Sequence, residues 1–237
     1  MKANIRNLSL DEISQILIAQ GESKFRAKQV YEWIWQKSAT DFSDMTNLSK
    51  DLRDKLSEGF EFKEISEHMI QKSSDGTIKI GFKTCDNRDI EGVMIPMEER
   101  MTACVSSQVG CSLACAFCAT GFLKRERNLD FYEIYDQVVS LNKKALAEYG
   151  KPLSNIVYMG MGEPLLNYEN VVRSIRMINS PIGLQMSAKR ITVSTSGIVR
   201  GIKKLADEGL NINLALSLHA PNNEKRNEIM DINHSNP

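Results

Sequence analysis

The sequence has 237 residues, 42% of them hydrophobic and 25% charged, with 30 basic against 30 acidic side chains. That length holds one sizeable core plus a small accessory region, and the composition is that of an ordinary globular chain rather than a disordered one. A formal charge of zero argues against a general polyanion binder, so nucleic-acid contact must come from a local patch or from sequence outside this chain; no apolar run approaches the roughly 20 residues of a membrane helix, and the N-terminus lacks a signal-peptide core.

Ser9-Leu10-Asp11-Glu12 is a capping box opening a short helix with Ile13, Ile16 and Leu17 on one side, and Gly21 ends it. A second helix starts near Lys24. Its Phe25, Val30, Tyr31, Ile34 and Trp35 recur at helical spacing and read as core, while Lys24, Arg26, Lys28 and Lys37 read as a solvated face. A third helix near Ser49 to Glu58 ends at Gly59. Together these form a small helical accessory domain over residues 1–60. Residues 61–99 read as a β-hairpin connector: Ile65 to Lys72 and Thr77 to Thr84 flank the turn Ser73-Ser74-Asp75-Gly76, and Asp89 to Pro96 is a further strand. On that strand Glu91 shares a face with Val93 and Ile95. A carboxylate on an apolar face costs desolvation unless it has a partner or a task; periodicity alone favours an edge-strand glutamate reaching solvent.

Over residues 100–237 strand and helix alternate. Thr102 to Gln108, Asn155 to Met159, Arg190 to Ser194 and Ile212 to Ser217 are strands; helices follow Asp130, Asn167, Ile198 and Asn223. Four β/α repeats imply an α/β fold with a parallel sheet and helical crossovers. The chemistry of such sheets collects at the carboxyl ends of the strands, which is where Cys111, Gly162-Glu163, Ser194 and His219 fall.

The loop Gly110-Cys111-Ser112-Leu113-Ala114-Cys115-Ala116-Phe117-Cys118 reads CxxxCxxC and holds three of the chain's five cysteines. Its physical use is ligation by soft thiolates. One helical face could carry the same spacing, but Cys111 and Cys118 would then lie roughly 10 Å apart at about 1.5 Å per residue. That is too far for adjacent corners of one cluster, so part of the stretch must loop. Three thiolates complete neither a structural zinc site nor an ordinary iron–sulfur cubane. The reading is a cluster with one iron open to an exogenous ligand; a three-cysteine zinc site with a distant histidine is the alternative. Metal-type spacing, rather than a disulfide framework, points to a reducing cytoplasm.

Met159-Gly160-Met161-Gly162-Glu163-Pro164 follows a strand directly, and its glycines let a ligand approach the backbone. Ser194-Thr195-Ser196-Gly197 and Ser217-Leu218-His219-Ala220-Pro221 end the next two strands. Each alone is weak: the serine cluster can be merely an N-cap, and a lone His219 is more often structural. Three polar strand ends facing a thiolate loop would suit a small zwitterion bearing an amine, a carboxylate and a ribose.

CxxxCxxC followed by a strand-end Gly-Glu-Pro resembles the radical S-adenosylmethionine (SAM) superfamily. The fuller strings narrow the resemblance: Cys104-Val105-Ser106-Ser107-Gln108-Val109-Gly110-Cys111, Cys118-Ala119-Thr120-Gly121, Met159 through Asn167, and Ser217 through Asn222. Together they resemble the bacterial dual-specificity ribosomal and transfer RNA adenine carbon-2 methyltransferases, along with an antibiotic-resistance relative that methylates carbon 8. The resemblance covers nearly the whole chain and implies a partial radical-SAM (β/α)6 barrel. It implies that Cys111, Cys115 and Cys118 hold a 4Fe–4S cluster whose open iron takes the amine and carboxylate of SAM. Gly162 and Glu163 would contact the methionyl amine, and Ser194, Ser217, Leu218 and His219 the rest of that cofactor. Glu91 matches the family's proton acceptor and Cys104 its resolving cysteine, which forms a transient disulfide. Cys85 matches nothing and reads as an ordinary buried thiol.

The implied mechanism uses SAM twice, once to methylate a further cysteine and once to generate the radical that activates that methyl group. Carbon 2 of adenine is not nucleophilic, so simple methyl displacement would fail. The implied partners are 23S ribosomal RNA, transfer RNA and an electron donor such as flavodoxin or ferredoxin; the implied state is a cytoplasmic monomer with no membrane association. The family's methyl-carrying cysteine lies in a C-terminal segment, whereas here no cysteine follows Cys118 and the sequence stops soon after the fourth strand. The expectation is therefore the N-terminal part of such an enzyme. Two rivals stay open: another radical-SAM enzyme, which would need neither Cys104 nor Glu91, and a non-catalytic zinc or cluster-binding RNA module, which would not bind SAM. RNA contact is expected at Lys24, Arg26 and Lys28 and at the loop Lys124-Arg125-Glu126-Arg127.

Overall fold

A computed structural model describes residues 2–237. The chain forms two compact units, one of the residues up to Glu64 together with Met177–Gln185, the other of Ile65–Arg176 together with Met186–Pro237.

The first unit holds α1 (Leu10–Ala19), α2 (Lys24–Trp35) and α3 (Lys50–Gly59). The Ser9 side chain accepts from the Glu12 N–H while the Glu12 carboxylate takes the Ser9 N–H, a reciprocal cap that satisfies two otherwise orphaned donors. Two short parallel strands, β1 (Ala3–Asn4) and β2 (Phe60–Glu61), pair across its ends. Ala27, Val30, Ile34 and Trp35 are buried on one face of α2, as are Leu52 and Leu56 on α3. Phe25, expected in the same stripe, is 63% exposed. It lies two residues before Ala27, and at about 100° per residue that turns its side chain roughly to the opposite face.

In the second unit, β3 (Ser66–Lys72), β4 (Ile78–Lys83), β5 (Asp89–Pro96) and β6 (Met101–Cys104) are followed by a two-stranded hairpin of β7 (Gln108–Val109) and β8 (Arg127–Asn128). Then come α4 (Phe131–Tyr149), β9 (Asn155–Tyr158), α5 (Tyr168–Asn179), β10 (Ile191–Thr195), α6 (Val199–Asp207), β11 (Asn213–Leu216) and α7 (Asn223–Ile229). Among the described residues seven strands make one sheet in the order β11-β10-β9-β6-β5-β4-β3. The four strands of the β/α repeats are parallel, and β5, β4 and β3 extend them antiparallel. The hairpin expected as a connector is thus continuous with the sheet. Backbone lying beside an open sheet edge meets its hydrogen-bonding obligation by pairing with it, as β5 does with β6.

Register gives the sheet two unlike faces. Ile78, Met94, Ala103, Ile156 and Ile191 align across five strands, and all are buried. Helices cover this face: Leu141 of α4 lies against Gly92, and Tyr158 shares a hydrogen bond with Ser174 of α5. The neighbouring row runs Lys79, Val93, Cys104, Val157, Thr192 and Asn213, none of them buried. Glu91 belongs to this second, partly open face, so its companions Val93 and Ile95 do not make it a core position, and β5 is an interior strand rather than an edge.

The β4–β5 turn carries Cys85, which is exposed rather than buried because Thr84 and Arg88 close the turn behind it through an N–H to carbonyl bond of 2.9 Å. Beside it Arg127 of β8 donates to both Asp86 carboxylate oxygens (2.9 and 2.6 Å) and to both oxygens of the buried Glu133 in the first turn of α4 (2.7 and 2.8 Å). Arg127 is therefore a structural clamp, and Glu126 next to it pairs with Arg88 at 2.7 Å; of the loop expected to touch RNA, only Lys124 and Arg125 keep their charge outside an ion pair.

The Arg127 guanidinium, and secondarily the Thr84 hydroxyl, hold the Asp86 carboxyl well below the usual carboxylate range. A depressed folded value contributes stability in full above the ordinary carboxylate value and loses it as pH falls toward the folded one. Between about pH 5 and 2 the melting temperature of the parent should therefore fall more steeply than that of Asp86→Asn, and thermal scans across that range measure the difference.

Candidate active site

The cysteine loop springs from the β7–β8 hairpin, whose pairs are Gln108 with Asn128 and Val109 with Arg127. Above this stem Cys111 donates its N–H to the Leu123 carbonyl (3.3 Å), and Glu126 donates to Val109 (2.9 Å). At the base Gly110 has φ +72°, and a Cβ there would lie 2.3 Å from the Lys124 carbonyl oxygen, so no other residue fits. Residues 111–118 are not helical; Cys118 donates to the Cys115 carbonyl at 3.0 Å in a turn, and Gly121 to the Cys118 carbonyl at 2.9 Å. The three cysteines thus do not form a helix stripe.

All three line one cavity of about 250 Å³, together with Met159, Gly160, Gly162 and Glu163 from the β9 exit, Ser194 of β10 and Ser196 just after it, and Ser217 beyond β11. Gly162 has φ +95°, with a hypothetical Cβ 2.5 Å from that of Gln108. The Glu163 carboxylate is buried and accepts from the Leu165 N–H (3.0 Å), the Ser196 N–H (2.8 Å) and the Ser196 hydroxyl (2.8 Å). A carboxylate has about four acceptor positions; three taken by the protein leave room for a further donor such as an ammonium group in the cavity.

Burial pushes the Cys111 and Cys115 thiols up, and neighbouring sulfurs and the Glu163 carboxylate add to the effect by charge repulsion. Thiols that oppose one another's ionisation are a donor set that a cationic metal centre stabilises outright. On this chemistry the three cysteines fit a metal cluster.

The other expected residues fall outside the cavity lining. Cys104 sits mid-sheet on the open face with Val93 and Val157 beside it; burial pushes its thiol up, against the lowering effect of a hydrogen bond with the Met159 backbone. Glu91 is one strand over on the same face, its carboxylate 3.1 Å from the Lys79 ammonium. Leu218 is exposed, and the His219 ring packs on Phe117 with centroids 4.3 Å apart, the backbone at His219 being left-handed (φ 56°). All five cysteines, Cys104 among them, are free thiols in this structure.

Sequence reasoning passed over the residues that hold these parts in place. Ser106, Ser107 and Gln108 are buried directly after β6. Ser106 accepts from the Met161 N–H (2.9 Å) and donates to the Glu91 carbonyl (2.6 Å), and Ser107 donates its N–H to the Met161 carbonyl (2.8 Å). Gln108 accepts from the Glu163 N–H (2.9 Å). Gln137 of α4 closes on Ser106 with bonds of 2.8 and 3.1 Å, and Asn167 donates to the Ser107 and Leu129 carbonyls, each at 2.7 Å. The signal available was three consecutive polar residues flanked by apolar ones beside a cysteine loop.

Residues 105–236 match the family model described as the radical SAM superfamily, and residues 3–62 match that of the ribosomal RNA large subunit methyltransferase N-terminal domain. The chain is similar to a probable dual-specificity RNA methyltransferase RlmN of Cytophaga hutchinsonii, 54% identical over 99% of this chain and 64% of that protein. Its likeness to a protein of the same description from Christiangramia forsetii is 52% over all of this chain and 67% of the other. The chain thus spans about two thirds of the length of these relatives. Among solved structures it resembles a radical SAM methyltransferase from Sphaerobacter thermophilus, with a TM-score of 0.89 and 40% identity over 98% of this chain and 68% of that one.

The three donors on Glu163 give a test. In Glu163→Gln the amide nitrogen must face either the Leu165 or the Ser196 N–H, so one buried N–H loses its acceptor whichever way the amide turns. The variant should be less stable by about 1–3 kcal/mol, read as a lower midpoint in urea denaturation.

Proposed function

The chain belongs to the radical SAM superfamily and to its dual-specificity RNA methyltransferase family, and on that premise we propose that it carries the cluster and SAM-binding part of an enzyme that methylates carbon 2 of an adenine in 23S ribosomal RNA and in transfer RNA. The observation that supports this most is the single cavity shared by Cys111, Cys115 and Cys118 and by the strand exits at Gly162-Glu163, Ser194 and Ser217. In this reading the three cysteines hold a 4Fe–4S cluster. The cluster and SAM supply radical chemistry, which a ring carbon that is not nucleophilic requires.

The roles of the remaining residues follow. The free acceptor position of Glu163, with the backbone of Gly162, takes the methionyl amine, while Ser194 and Ser217, whose hydroxyls lie 3.5 Å apart, take polar groups of the same cofactor. Leu218 and His219 close that end, His219 through its contact with Phe117. Glu91 accepts the proton that leaves the adenine ring, and Cys104, a thiol on the same open sheet face, attacks the sulfur of the family's methyl-carrying cysteine, so that a transient sulfur–sulfur bond forms as the sulfur–carbon bond to the methylated base breaks and that carbon takes a proton. RNA contact draws on Lys24, Arg26 and Lys28 of α2 and on Lys124 and Arg125 of the cluster loop. A cytoplasmic monomer served by a small electron donor such as flavodoxin or ferredoxin belongs to the same reading; among the described residues no helix is long and apolar enough to cross a membrane.

Reconstituted without oxygen, the protein should take up iron and acid-labile sulfide in equal amounts and bind SAM in equilibrium dialysis. Cys111→Ala, Cys115→Ala and Cys118→Ala should each abolish uptake. A colourless zinc protein with no iron and no SAM binding would sink the proposal.

RNA binding should weaken steeply with salt, with a logarithmic slope of about −0.7 to −0.9 for each phosphate contacted. Charge reversal at Lys24, Arg26 and Lys28 should flatten that slope in filter binding, and an unchanged affinity would remove α2 from the interface.

A further inference from the structure

Arg226 lies on α7, outside the cysteine loop and the polar strand ends, and it is buried. Its guanidinium has five N–H donors, and the structure gives five contacts. Nε donates to the Leu218 carbonyl (3.1 Å), one terminal nitrogen to the Ser196 (2.5 Å) and Ser217 (3.2 Å) carbonyls, and the other to the Asn236 carbonyl (3.4 Å) and to Asn233 Oδ1. The acceptors are four carbonyls and a side-chain amide oxygen, so this arginine works as a planar fork rather than as half of an ion pair. Asn233 is held in turn, its amide donating to Asn227 (2.6 Å) and Asn223 (3.2 Å).

Three of those carbonyls belong to the exits of two neighbouring strands. Ser196 follows β10, and Ser217 and Leu218 follow β11; Ser196 and Ser217 line the cavity. Ser196 also gives two of the three hydrogen bonds on Glu163. Contact therefore passes from Arg226 through the Ser196 peptide to the Glu163 carboxylate. The end of the same helix reaches the third part of the site: the Ala116 N–H, within the cysteine loop, donates to the Ile229 carbonyl at 3.0 Å, and Met230 lines the cavity.

We infer that Arg226 is the positioning residue of the SAM pocket, fixing the β10 and β11 exits at one spacing and, through α7, setting them against the cysteine loop. This rests on the reading of the cavity as a SAM site. Arg226 touches no cofactor itself; it acts through Ser196, Ser217 and Leu218. Lysine keeps the charge but offers three donors from a single point, so it cannot span both strand exits and Asn233 at once.

The test uses the full chain with its cluster reconstituted. For the parent, Arg226→Lys and Arg226→Met, iron and sulfide content, thermal midpoint, SAM dissociation constant and the electron paramagnetic resonance signal of the reduced cluster with and without SAM are measured. Arg226→Met should load cluster as the parent does, bind SAM roughly tenfold or more weakly, and lose the SAM-dependent change in that signal, with Arg226→Lys in between. Asn233→Ser, which leaves the arginine in place and removes one of its acceptors, should show a smaller loss of SAM affinity and serves where Arg226→Met does not fold. A folded, cluster-loaded Arg226→Met that binds SAM within twofold of the parent would overturn the proposal, as would an unchanged affinity in Asn233→Ser. A parent chain that loads cluster and does not bind SAM would overturn the reading of the cavity, and the proposal with it.

Discussion

Three consecutive polar residues, Ser106, Ser107 and Gln108, are buried where the chain leaves the sheet after β6. A buried polar group without a partner costs more than a made hydrogen bond contributes. That asymmetry dictates the surroundings: each of the three finds its partners on the β9 exit, on Gln137 or on Asn167. The Gly-rich turn at 160–163 is thus fixed from behind by groups that have no other way of being satisfied. A network of this kind is fully connected or it is a liability, which is why it also gives the site one geometry.

The same segment joins the cavity to the open sheet face. Ser106 holds the carbonyl of Glu91 on β5, two residues beyond Cys104 of β6, while Gln108 begins the stem of the cysteine loop and holds Glu163. The open sheet face and the cavity are therefore two ends of one short stretch of chain. Sheet register does the remaining placement. Glu91 and Cys104 share a face because Val93 pairs with Cys104 and side chains alternate along a strand, and the covering helices lie on the other side.

What could be read in the sequence follows from how local the physics is. The α1 cap, the β3–β4 turn and the alternation of strand and helix after residue 100 are set by neighbours within a few residues, and they stand where the periodicity puts them. The cysteine spacing pointed to ligation because few other tasks need three thiols so close together, and the loop brings all three to one cavity. Contacts between distant residues were not legible. Phe25 reads as core from its spacing to Val30, Tyr31, Ile34 and Trp35, whereas Ala27 also belongs to the buried face and turns Phe25 away from it. Cys85 looked like a small buried thiol from its residue type alone, although the strands ending at Thr84 and starting at Asp89 leave it in the turn between them. Arg127 looked like surface charge, and its real partners lie at Asp86 and Glu133. Arg226, on the charged heptamer Asn223–Ile229, is the extreme case: all its acceptors but Asn233 are backbone carbonyls, which carry no sequence signal.

The stem beneath the cysteine loop bears on the order of maturation. In a zinc finger the metal closes the loop, so binding and folding are one event. Here residues 110–126 are already closed at the base by β7 and β8 and tied at Ala116 to Ile229. The entropy of bringing the ends of such a loop together is met by protein hydrogen bonds and not by ligand bonds. Under the proposed function, cluster assembly is then delivery into a receptacle that the polypeptide itself closes, with Cys111, Cys115 and Cys118 lining one cavity.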